Sequence, residues 1–193
     1  GDALDVGERL LWGTGLSNAA ELAAYESGIL VLDSVADRAL YYEDLNLDGD
    51  ALDVGESVPW TDGFTNPFGI DVGPDGSAFL SDFATHQVFR ARDFNADGDA
   101  LDTGERLLYA ENILGAVSVL ASGNEQYVVA FTTGQVHKLR DINGDGDALD
   151  TGENLPHTPN SIPSIEGLAP RSGGGYFTGS WFNDTIYRVL DKN

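Results

Sequence analysis

Cysteine and methionine are absent from this 193-residue chain, and basic residues are scarce. Without cysteine the chain can form neither a disulfide framework nor a thiolate site. Lys and Arg number only 10 and do not cluster, which excludes nucleic acid as a partner. No apolar run approaches the roughly 18 residues that a membrane-spanning helix needs, so we expect no such helix. No signal segment is visible either, and we expect the chain to be a mature or excised part of a longer one.

Acidic residues are abundant by contrast. Asp and Glu number 32, and the formal net charge is −22. Of these acids, 19 lie in three similar loops, 44–56, 93–105 and 141–153, or in partial copies of them at the two ends. The hydrophobic fraction of 41% is that of a globular chain rather than a disordered one. The negative charge is therefore concentrated at a few places, where it favours cations as partners.

The acidic segments belong to an internal repeat. Their sequences are DLNLDGDALDVGE (44–56), DFNADGDALDTGE (93–105) and DINGDGDALDTGE (141–153), and the chain opens on GDALDVGE (1–8) and closes on DKN (191–193). The equivalent residues Asp2, Asp50, Asp99 and Asp147 are spaced by 48, 49 and 48 residues. A fixed period of this length is typical of propellers, solenoids and arrays. The chain is thus built from four copies of one unit.

The segments between the loops have the alternation and turn residues of β-strands. In the second unit, FGIDV (68–72), SAFLSD (77–82), QVFRARD (87–93) and ERLLYA (105–110) are predicted strands, the first two joined by the turn GPDG. NAAELAAYE (18–26) could form a helical turn, but its place in the unit favours a strand. Four short antiparallel strands per unit indicate a propeller blade.

The prediction is therefore an all-β protein, a β-propeller of four blades of about 48 residues, with each acidic loop between the third and fourth strands. We expect a single domain over 1–193, with units at 14–61, 62–110, 111–158 and 159–193 and residues 1–13 as the closing strand.

NPFGIDVGPDGSAFLSDFATHQVFR (66–90) resembles an NHL-type repeat, with its P-x-G-I-x-V opening, its P-D-G turn and S-D before the third strand. SIEGLAPRSGGGYFTGSWFNDTIYRV (164–189) resembles it less fully. The resemblance implies a β-propeller, and it implies no particular function because that fold has many.

The acidic loops have the ligand spacing of a calcium site. Numbered from the first Asp, positions 1, 3 and 5 are Asp, Asn and Asp, 6 is Gly, 7 and 10 are Asp, 12 is Gly and 13 is Glu. Alternate side chains of a tightly curled loop converge, and Gly at position 6 permits the sharp turn. The D-x-N-x-D-G start resembles the front half of an EF-hand loop, which implies Ca²⁺. Asp, Asn and Gly are also ordinary turn formers, but that alternative does not explain three loops in one register.

An EF-hand has its Glu at position 12, whereas these loops have Gly there and Glu at 13. We expect side-chain ligands from positions 1, 3, 5 and 10, a main-chain carbonyl near 7, and Glu at 13 directly or through water. Leu at position 9 (Leu52, Leu101, Leu149 and Leu4) is predicted to pin each loop to its blade. The candidate ligands are Asp44, Asn46, Asp48, Asp50, Asp53 and Glu56; Asp93, Asn95, Asp97, Asp99, Asp102 and Glu105; and Asp141, Asn143, Asp145, Asp147, Asp150 and Glu153.

The two chain ends carry complementary parts of a fourth loop. Asp2, Asp5 and Glu8 come from one end and Asp191 and Asn193 from the other, so a fourth Ca²⁺ site shared by the termini is a further prediction. ERLLWG (8–13) is a spare copy of the outer strand that blade four lacks. Two arrangements remain open: the strand closes the chain's own ring, or it pairs with another copy of the chain to form a fibre or array.

The function that these features favour is a secreted or cell-surface calcium-binding propeller with a structural, adhesive or assembly role, and not an enzyme. The alternative is a metal-dependent lactonase-like or esterase-like hydrolase with its site at the central channel. Glu166 in SIEGL is similar to the metal-ligand Glu of regucalcin-like propeller lactonases, although no further ligand of that family can be placed. Trp12, Trp60, Tyr109 and His157 share one register and are predicted to form a packing layer. His86 and His137 are predicted to be structural, and Asn183 begins a glycosylation sequon.

Overall fold

The computed structural model describes residues 10–158, 161–172 and 174–190. These residues form β-strands, turns and irregular segments without any helix, and none of them could therefore cross a membrane as a helix. The strands are β1 (Ala19–Tyr25), β2 (Gly28–Asp33), β3 (Arg38–Tyr42), β4 (Ser57–Asp62), β5 (Pro67–Val72), β6 (Ala78–Asp82), β7 (Gln87–Ala91), β8 (Arg106–Ala110), β9 (Ala116–Ser122), β10 (Glu125–Ala130), β11 (Gln135–Leu139), β12 (Asn154–Pro156), β13 (Ile165–Pro170), β14 (Tyr176–Ser180) and β15 (Thr185–Val189).

The strands form four antiparallel sheets in chain order. Blade one is β1–β4, blade two β5–β8, blade three β9–β12 and blade four β13–β15. Within each blade, neighbours in sequence are neighbours in the sheet, joined by short turns. The predicted all-β propeller architecture is confirmed, and the segment 18–26 forms β1 rather than a helix.

The hydrophobic core lies between consecutive blades. Leu30 and Leu32 of blade one pack with Ile70 and Leu80 of blade two, and all four are nearly inaccessible to solvent. Similar clusters join blade two to blade three and blade three to blade four. The alternation along each strand thus divides its side chains between two neighbouring blades, which explains why the central strands β2, β6 and β10 are apolar on both faces.

An aspartate ends the second strand of the first two blades and holds the loop that enters the blade. The Asp33 carboxylate accepts hydrogen bonds from the N–H groups of Ser17 at 2.7 Å and Asn18 at 2.9 Å. Burial acts to raise the pKa of Asp33, but these N–H donors outweigh it and keep the pKa below its usual value. Asp82 accepts from Thr65 N–H at 2.6 Å in the same way. The S-D of the NHL-like segment is therefore explained by loop anchoring.

Blade four differs from the expectation. Its sheet has three strands among the described residues, and residues 10–13 belong to no sheet. Trp12 instead packs on blade one, 6.4 Å from Tyr42 between ring centroids, and its carbonyl accepts a hydrogen bond from Ala51 N–H at 2.7 Å. Residues 10–13 are therefore not hydrogen-bonded to blade four as a fourth strand, and the rest of the predicted closing strand, residues 1–9, lies outside the described residues.

The predicted packing layer after each loop is confirmed. Trp60 is fully buried between blades one and two, and Tyr109 is 3% exposed between blades two and three. His157 contacts the rings of Tyr127 and Tyr176.

Candidate metal loops on the blades

Each acidic loop connects the third and fourth strands of a blade. Loop 1 (44–56) lies between β3 and β4, loop 2 (93–105) between β7 and β8, and loop 3 (141–153) between β11 and β12. The Asp side chains at positions 5 and 10 are exposed, those at positions 1 and 7 are half-buried, and Glu at position 13 is buried. The three loops therefore present negative charge to solvent from equivalent places on three blades.

Glycine at positions 6 and 12 is required by the backbone. At position 6, φ is +106° in Gly49, +100° in Gly98 and +103° in Gly146. At position 12 it lies between +96° and +97° in Gly55, Gly104 and Gly152. Side chains other than glycine rarely adopt such angles. The structure thus supports the sequence argument for a sharp turn at position 6, and it adds a second obligatory glycine at position 12.

Aspartate at position 1 organises the front of each loop. In loop 2, Asp93 accepts hydrogen bonds from Ala96 N–H at 2.6 Å and Gly98 N–H at 2.9 Å. Asp44 and Asp141 make the equivalent bond to the Gly at position 6, at 2.9 and 3.0 Å. This carboxylate curls the chain so that positions 3 and 5 come next to each other.

Glutamate at position 13 clamps the front of the loop to its back. In loop 2, Glu105 Oε1 accepts from Phe94 N–H at 2.8 Å, and Oε2 accepts from Asp102 N–H at 3.2 Å. The equivalent bonds exist for Glu56 and Glu153, and the three side chains are at most 5% exposed as residues. The sequence predicts a metal ligand here, and the structure shows that main-chain N–H groups bind both oxygens.

Asparagine at position 3 bridges two carboxylates. In loop 2, Asn95 Nδ2 donates to Asp97 at 2.9 Å and to Asp102 at 2.8 Å. Asn46 bridges Asp48 and Asp53 and Asn143 bridges Asp145 and Asp150 in the same way. The amide thus occupies a point shared by the side chains of positions 5 and 10, which is where a cation would neutralise both carboxylates. The side chains of positions 3, 5 and 10 are therefore brought together, although position 3 contributes its amide nitrogen here and the predicted ligand is its oxygen.

Loop 3 also contains a compact group of three carboxylates. Oxygen atoms of Asp145, Asp147 and Glu153 all lie within 4.8 Å of one another. The group combines positions 5, 7 and 13, so it includes the side chain of position 7, where the sequence argument placed a main-chain ligand. Among the described residues, which include all of loops 1 and 2, it is the one such group of three at this distance. Its all-oxygen composition fits a hard divalent cation.

The loop is anchored by alanine at position 8, not by leucine at position 9. Leu52, Leu101 and Leu149 are 43–44% exposed, so the predicted leucine anchor is wrong. Ala51, Ala100 and Ala148 are 1–2% exposed instead, and the N–H of Ala100 donates to the carbonyl of Trp60 at 2.7 Å. Trp60 belongs to the preceding blade. Loop 3 is attached to the preceding blade in the same way, from Ala148 to Tyr109 at 2.7 Å, and loop 1 is attached to the segment before blade one, from Ala51 to Trp12 at 2.7 Å.

Adjacent loops lie side by side. A groove of about 390 Å³ is lined by Tyr41, Glu56 and Pro59 from the loop 1 region and by Asp97 and Asp99 of loop 2. Loop 3 approaches blade two, where Arg90 Nη1 lies 3.5 Å from the carbonyl oxygen of Gly146. The loops consequently influence the contacts between blades as well as their own conformation.

The remaining candidates have different outcomes. Asp2, Asp5, Glu8, Asp191 and Asn193 lie outside the described residues, and so does Leu4. His86 Nδ1 accepts from Gly115 N–H at 3.0 Å, and His137 Nδ1 pairs with Asn154 Oδ1 at 2.7 Å, consistent with structural roles. Glu166 is exposed on β13 and lines a cleft on blade four. Asn183 is exposed and donates to the Tyr187 hydroxyl at 2.9 Å.

Glu21 is a titratable residue that the sequence analysis missed. Its Oε2 accepts a hydrogen bond from Ile70 N–H at 2.8 Å, across the contact between β1 and β5. The pKa of Glu21 is raised to about 7 by burial, against the lowering effect of the Ile70 N–H and with a smaller raising effect from the nearby Asp71. No local pattern marks such a residue, because its partner lies 49 positions along the chain.

Comparison with known proteins shows the fold alone. No protein-family model matches the chain, and no curated protein matches it in sequence. Among solved structures, the chain is similar to a nidogen/laminin complex (TM-score 0.69, 16% identity, 91% of this chain and 60% of that one). It is also similar to virginiamycin B lyase from Staphylococcus aureus (TM-score 0.64, 12% identity, 92% of this chain and 54% of that one). A third similar structure is a calcium structure of a Trichoderma reesei family AA12 carbohydrate-active enzyme (TM-score 0.66, 17% identity, 87% of this chain and 47% of that one).

The chain therefore spans about half to three fifths of the length of these structures. Together with the four sheets, the similarities define the class of protein as a β-propeller. At these identities they transfer no activity.

Proposed function

We propose that this protein is an extracellular calcium-binding β-propeller with a structural, adhesive or assembly role, in which each repeated loop binds Ca²⁺. The observation that carries the proposal is the common geometry of the loops. In all three, a buried Glu clamp, an Asp at position 1 and two obligatory glycines hold positions 3, 5 and 10 together. The carboxylate oxygens of positions 5 and 10 meet at this point, and such oxygens are the ligands that Ca²⁺ prefers.

The attachment of loops 2 and 3 to the preceding blade gives the ion a structural consequence. Ala100 of loop 2 is buried in the cluster between blades one and two, with Trp60 and Leu80. A cation that orders loop 2 would therefore also fix Ala100 against the Trp60 carbonyl and stiffen that interface. Relief of repulsion among the loop carboxylates stabilises the same arrangement.

An extracellular location follows from the same proposal. Exposed loops that keep some ligands in water are weak sites, and calcium sites with Kd of about 10⁻⁴–10⁻³ M are filled outside cells rather than in the cytosol. The absence of cysteine does not oppose this location, since a propeller has a large core and needs no disulfides. The calcium structure among the similar propellers is consistent with the proposal.

The hydrolase alternative predicts a different metal position. It requires an ion at the central channel with Glu166 as a ligand, whereas Glu166 is exposed in a cleft that also contains Trp181 and Ile186. Enzymes do occur among the similar structures. The position of the bound metal is the observation that distinguishes the hydrolase alternative from the structural role. Ions in the loops support the structural role, and one ion bound by Glu166 supports the hydrolase.

Thermal unfolding with and without calcium tests the proposal. Each filled site adds RT ln(1 + [Ca²⁺]/Kd), roughly 2.7 kcal/mol at a hundredfold excess over Kd. We expect the melting temperature to fall in chelator, to return with Ca²⁺ and to return poorly with Mg²⁺, which demands stricter octahedral geometry. A melting temperature that chelator does not change would refute the proposal.

A further inference from the structure

The outer face of blade four exposes side chains at positions that the other three blades bury. Ile186 on β15 is 78% exposed. Its equivalents, defined by the same register with the preceding strand, are Ala39, Val88 and Val136, and all three are fully buried against the following blade. An aliphatic residue at this position is therefore normally covered by another blade.

A second position on this face shows the same contrast. Phe177 is 38% exposed, whereas the equivalent residues Leu30, Phe79 and Tyr127 are 0–5% exposed. Phe177 and Ile186 line an apolar cleft of about 550 Å³, together with Trp181. The face of blade four thus has the composition of an internal blade interface without its partner.

Blade one exposes the complementary position. Leu22 on β1 is 62% exposed, while its equivalents Ile70 and Val119 are 2% and 4% exposed. Ile70 lies in one core cluster with Ala39, and Val119 lies in one with Val88. Leu168, the equivalent residue of blade four, packs against the cluster that contains Val136. The packing that Leu22 and Ile186 lack is therefore made by their equivalents at all three contacts between blades inside this chain.

Charge also matches the two exposed faces. Arg90 of blade two lies beside loop 3 of the next blade, with Nη1 3.5 Å from the Gly146 carbonyl oxygen. Arg188 pairs with Phe177 as Arg90 pairs with Phe79, and it is exposed on β15. A blade docked on blade four in the same manner would place its acidic loop beside Arg188. Blade one carries such a loop, with Gly49 at the position of Gly146.

Residues 10–16 supply a further part of the interface. The Trp12 carbonyl accepts a hydrogen bond from Ala51 N–H, just as the Trp60 carbonyl accepts one from Ala100 N–H. Residues 10–16 therefore lie against blade one in the place that the outer strand of a preceding blade would occupy. The sheet of blade four has three strands among the described residues. A copy docked by its blade one would therefore bring its own segment 10–13 to the side of blade four that has no outer strand there.

We propose that two copies of this chain associate head to tail, with the blade-one face of each packed on the blade-four face of the other. The ring so formed has twice the four blades of one chain. Eight blades lie within the usual range of about four to eight for propellers, whereas three copies would exceed it. Each copy contributes its blade-one face to one contact and its blade-four face to the other. The two contacts are equivalent, so the ring is closed and adds no further copies. The inference does not depend on calcium binding.

The test is the mass of the full chain in solution, measured by sedimentation equilibrium over a range of concentrations in calcium-containing buffer. We expect a species of twice the 20.6 kDa chain mass. Leu22→Lys and Ile186→Asp should each give the single-chain mass, since either change places a charge in both contacts. Circular dichroism checks that each variant stays folded, as expected from the exposure of both side chains.

Mixing the two variants separates this arrangement from others. An equal mixture should regain the two-chain species at least tenfold more readily than either variant alone, because one contact is then unaltered and the other pairs Lys with Asp. Val35→Asp, at an equally exposed position in the turn after β2, is the matched control and should leave association unchanged.

Three results would overturn the inference. The unaltered chain could remain single at millimolar concentration. Ile186→Asp alone could abolish association while Leu22→Lys has no effect, which would indicate contact between two blade-four faces. The third such result is that neither variant changes the measured mass, which would place the contact elsewhere.

Discussion

Replacing Glu105 by Gln separates the clamp of loop 2 from its metal ligands. The Glu105 carboxylate accepts main-chain hydrogen bonds from Phe94 at 2.8 Å and Asp102 at 3.2 Å. In Gln, one of the two oxygens becomes an NH₂ group, which cannot accept and would face an N–H donor. The loop therefore loses one bond and leaves one buried donor without a partner, whether or not calcium is present.

The size of this effect follows from the bonds involved. Hydrogen bonds to a charged group contribute about 1.5–3 kcal/mol each, and a buried donor left unsatisfied costs about 1–3 kcal/mol. Because these costs overlap, we expect the free energy of unfolding to fall by about 3 kcal/mol. For a chain of this size, about 1 kcal/mol shifts the melting temperature by roughly 2–4 °C, so the expected decrease is about 6–12 °C.

The assay is thermal unfolding followed by circular dichroism, with chelator and with saturating Ca²⁺. Glu105→Gln should lower the melting temperature in both conditions. Asp97→Asn is the matched variant, since it keeps the shape of the side chain: one carboxylate oxygen accepts only a long bond, from Asp99 N–H at 3.3 Å, and the oxygen that remains can keep the bond from Asn95 Nδ2 at 2.9 Å. It should lower the melting temperature with Ca²⁺ and change it little in chelator. If Glu105→Gln has no effect in chelator, the clamp reasoning is wrong and Glu105 acts only as a ligand.

Three further predictions concern single residues. Ala96, at loop position 4, has a φ of +61°, and loop 3 has glycine at this position. Ala96→Gly should therefore raise the free energy of unfolding, measured by denaturant titration, by about 1 kcal/mol, because it relieves the left-handed backbone strain. A decrease would contradict that strain. The pKa of Glu21 is raised from 4.5 to about 7, so its contribution to stability is present below pH 4.5 and is lost as the pH rises through 7. Glu21→Gln should therefore stabilise the protein by about 2 kcal/mol at pH 8 and hardly at all at pH 4, and equal effects at both values would refute the shifted pKa. Asp97→Ala should weaken calcium binding in titration calorimetry, whereas Asp62→Ala, at an exposed position on β4, should not, and equal losses would indicate a diffuse charge effect.

The repeat and the strands could be predicted because both leave local signals. Acidic loops spaced by 48 or 49 residues mark the period, and alternation of apolar residues marks strands such as β6 and β10. Even β1, whose alanines permit a helix, could be assigned from its place in the unit. These features depend on neighbours in sequence, which is the information that a single chain provides.

The details of the loops depend on contacts that the sequence does not display. Leu101 and Ala100 are adjacent, and only the irregular path of loop 2 decides that Ala100 faces Trp60 of the preceding blade while Leu101 faces solvent. Glu105 is recognisable as a carboxylate, but not as the acceptor of bonds from residues near the start of the loop. Glu21 is buried by a strand of another blade, and its perturbed pKa has no signature in the segment around it.

The end of the chain shows the same limit. ERLLWG has the sequence of an outer strand, and the prediction that it completes blade four follows from that pattern. The structure places Trp12 on blade one, where Ala51 and Tyr42 hold it. Trp60 of blade one holds Ala100 of blade two by the same bond, so Trp12 occupies the place of an outer strand of a preceding blade. Sequence alone cannot decide whether that blade belongs to the same chain or to another copy.

The number of Ca²⁺ ions bound per chain tests the central claim most directly. Native mass spectrometry, with titration calorimetry for affinity, should find at least three ions per chain, one for each of loops 1, 2 and 3. Asp97→Ala should remove the loop 2 ion and leave the others. A chain that binds no calcium, or one that binds a single ion unaffected by changes in any of the three loops, would contradict the account.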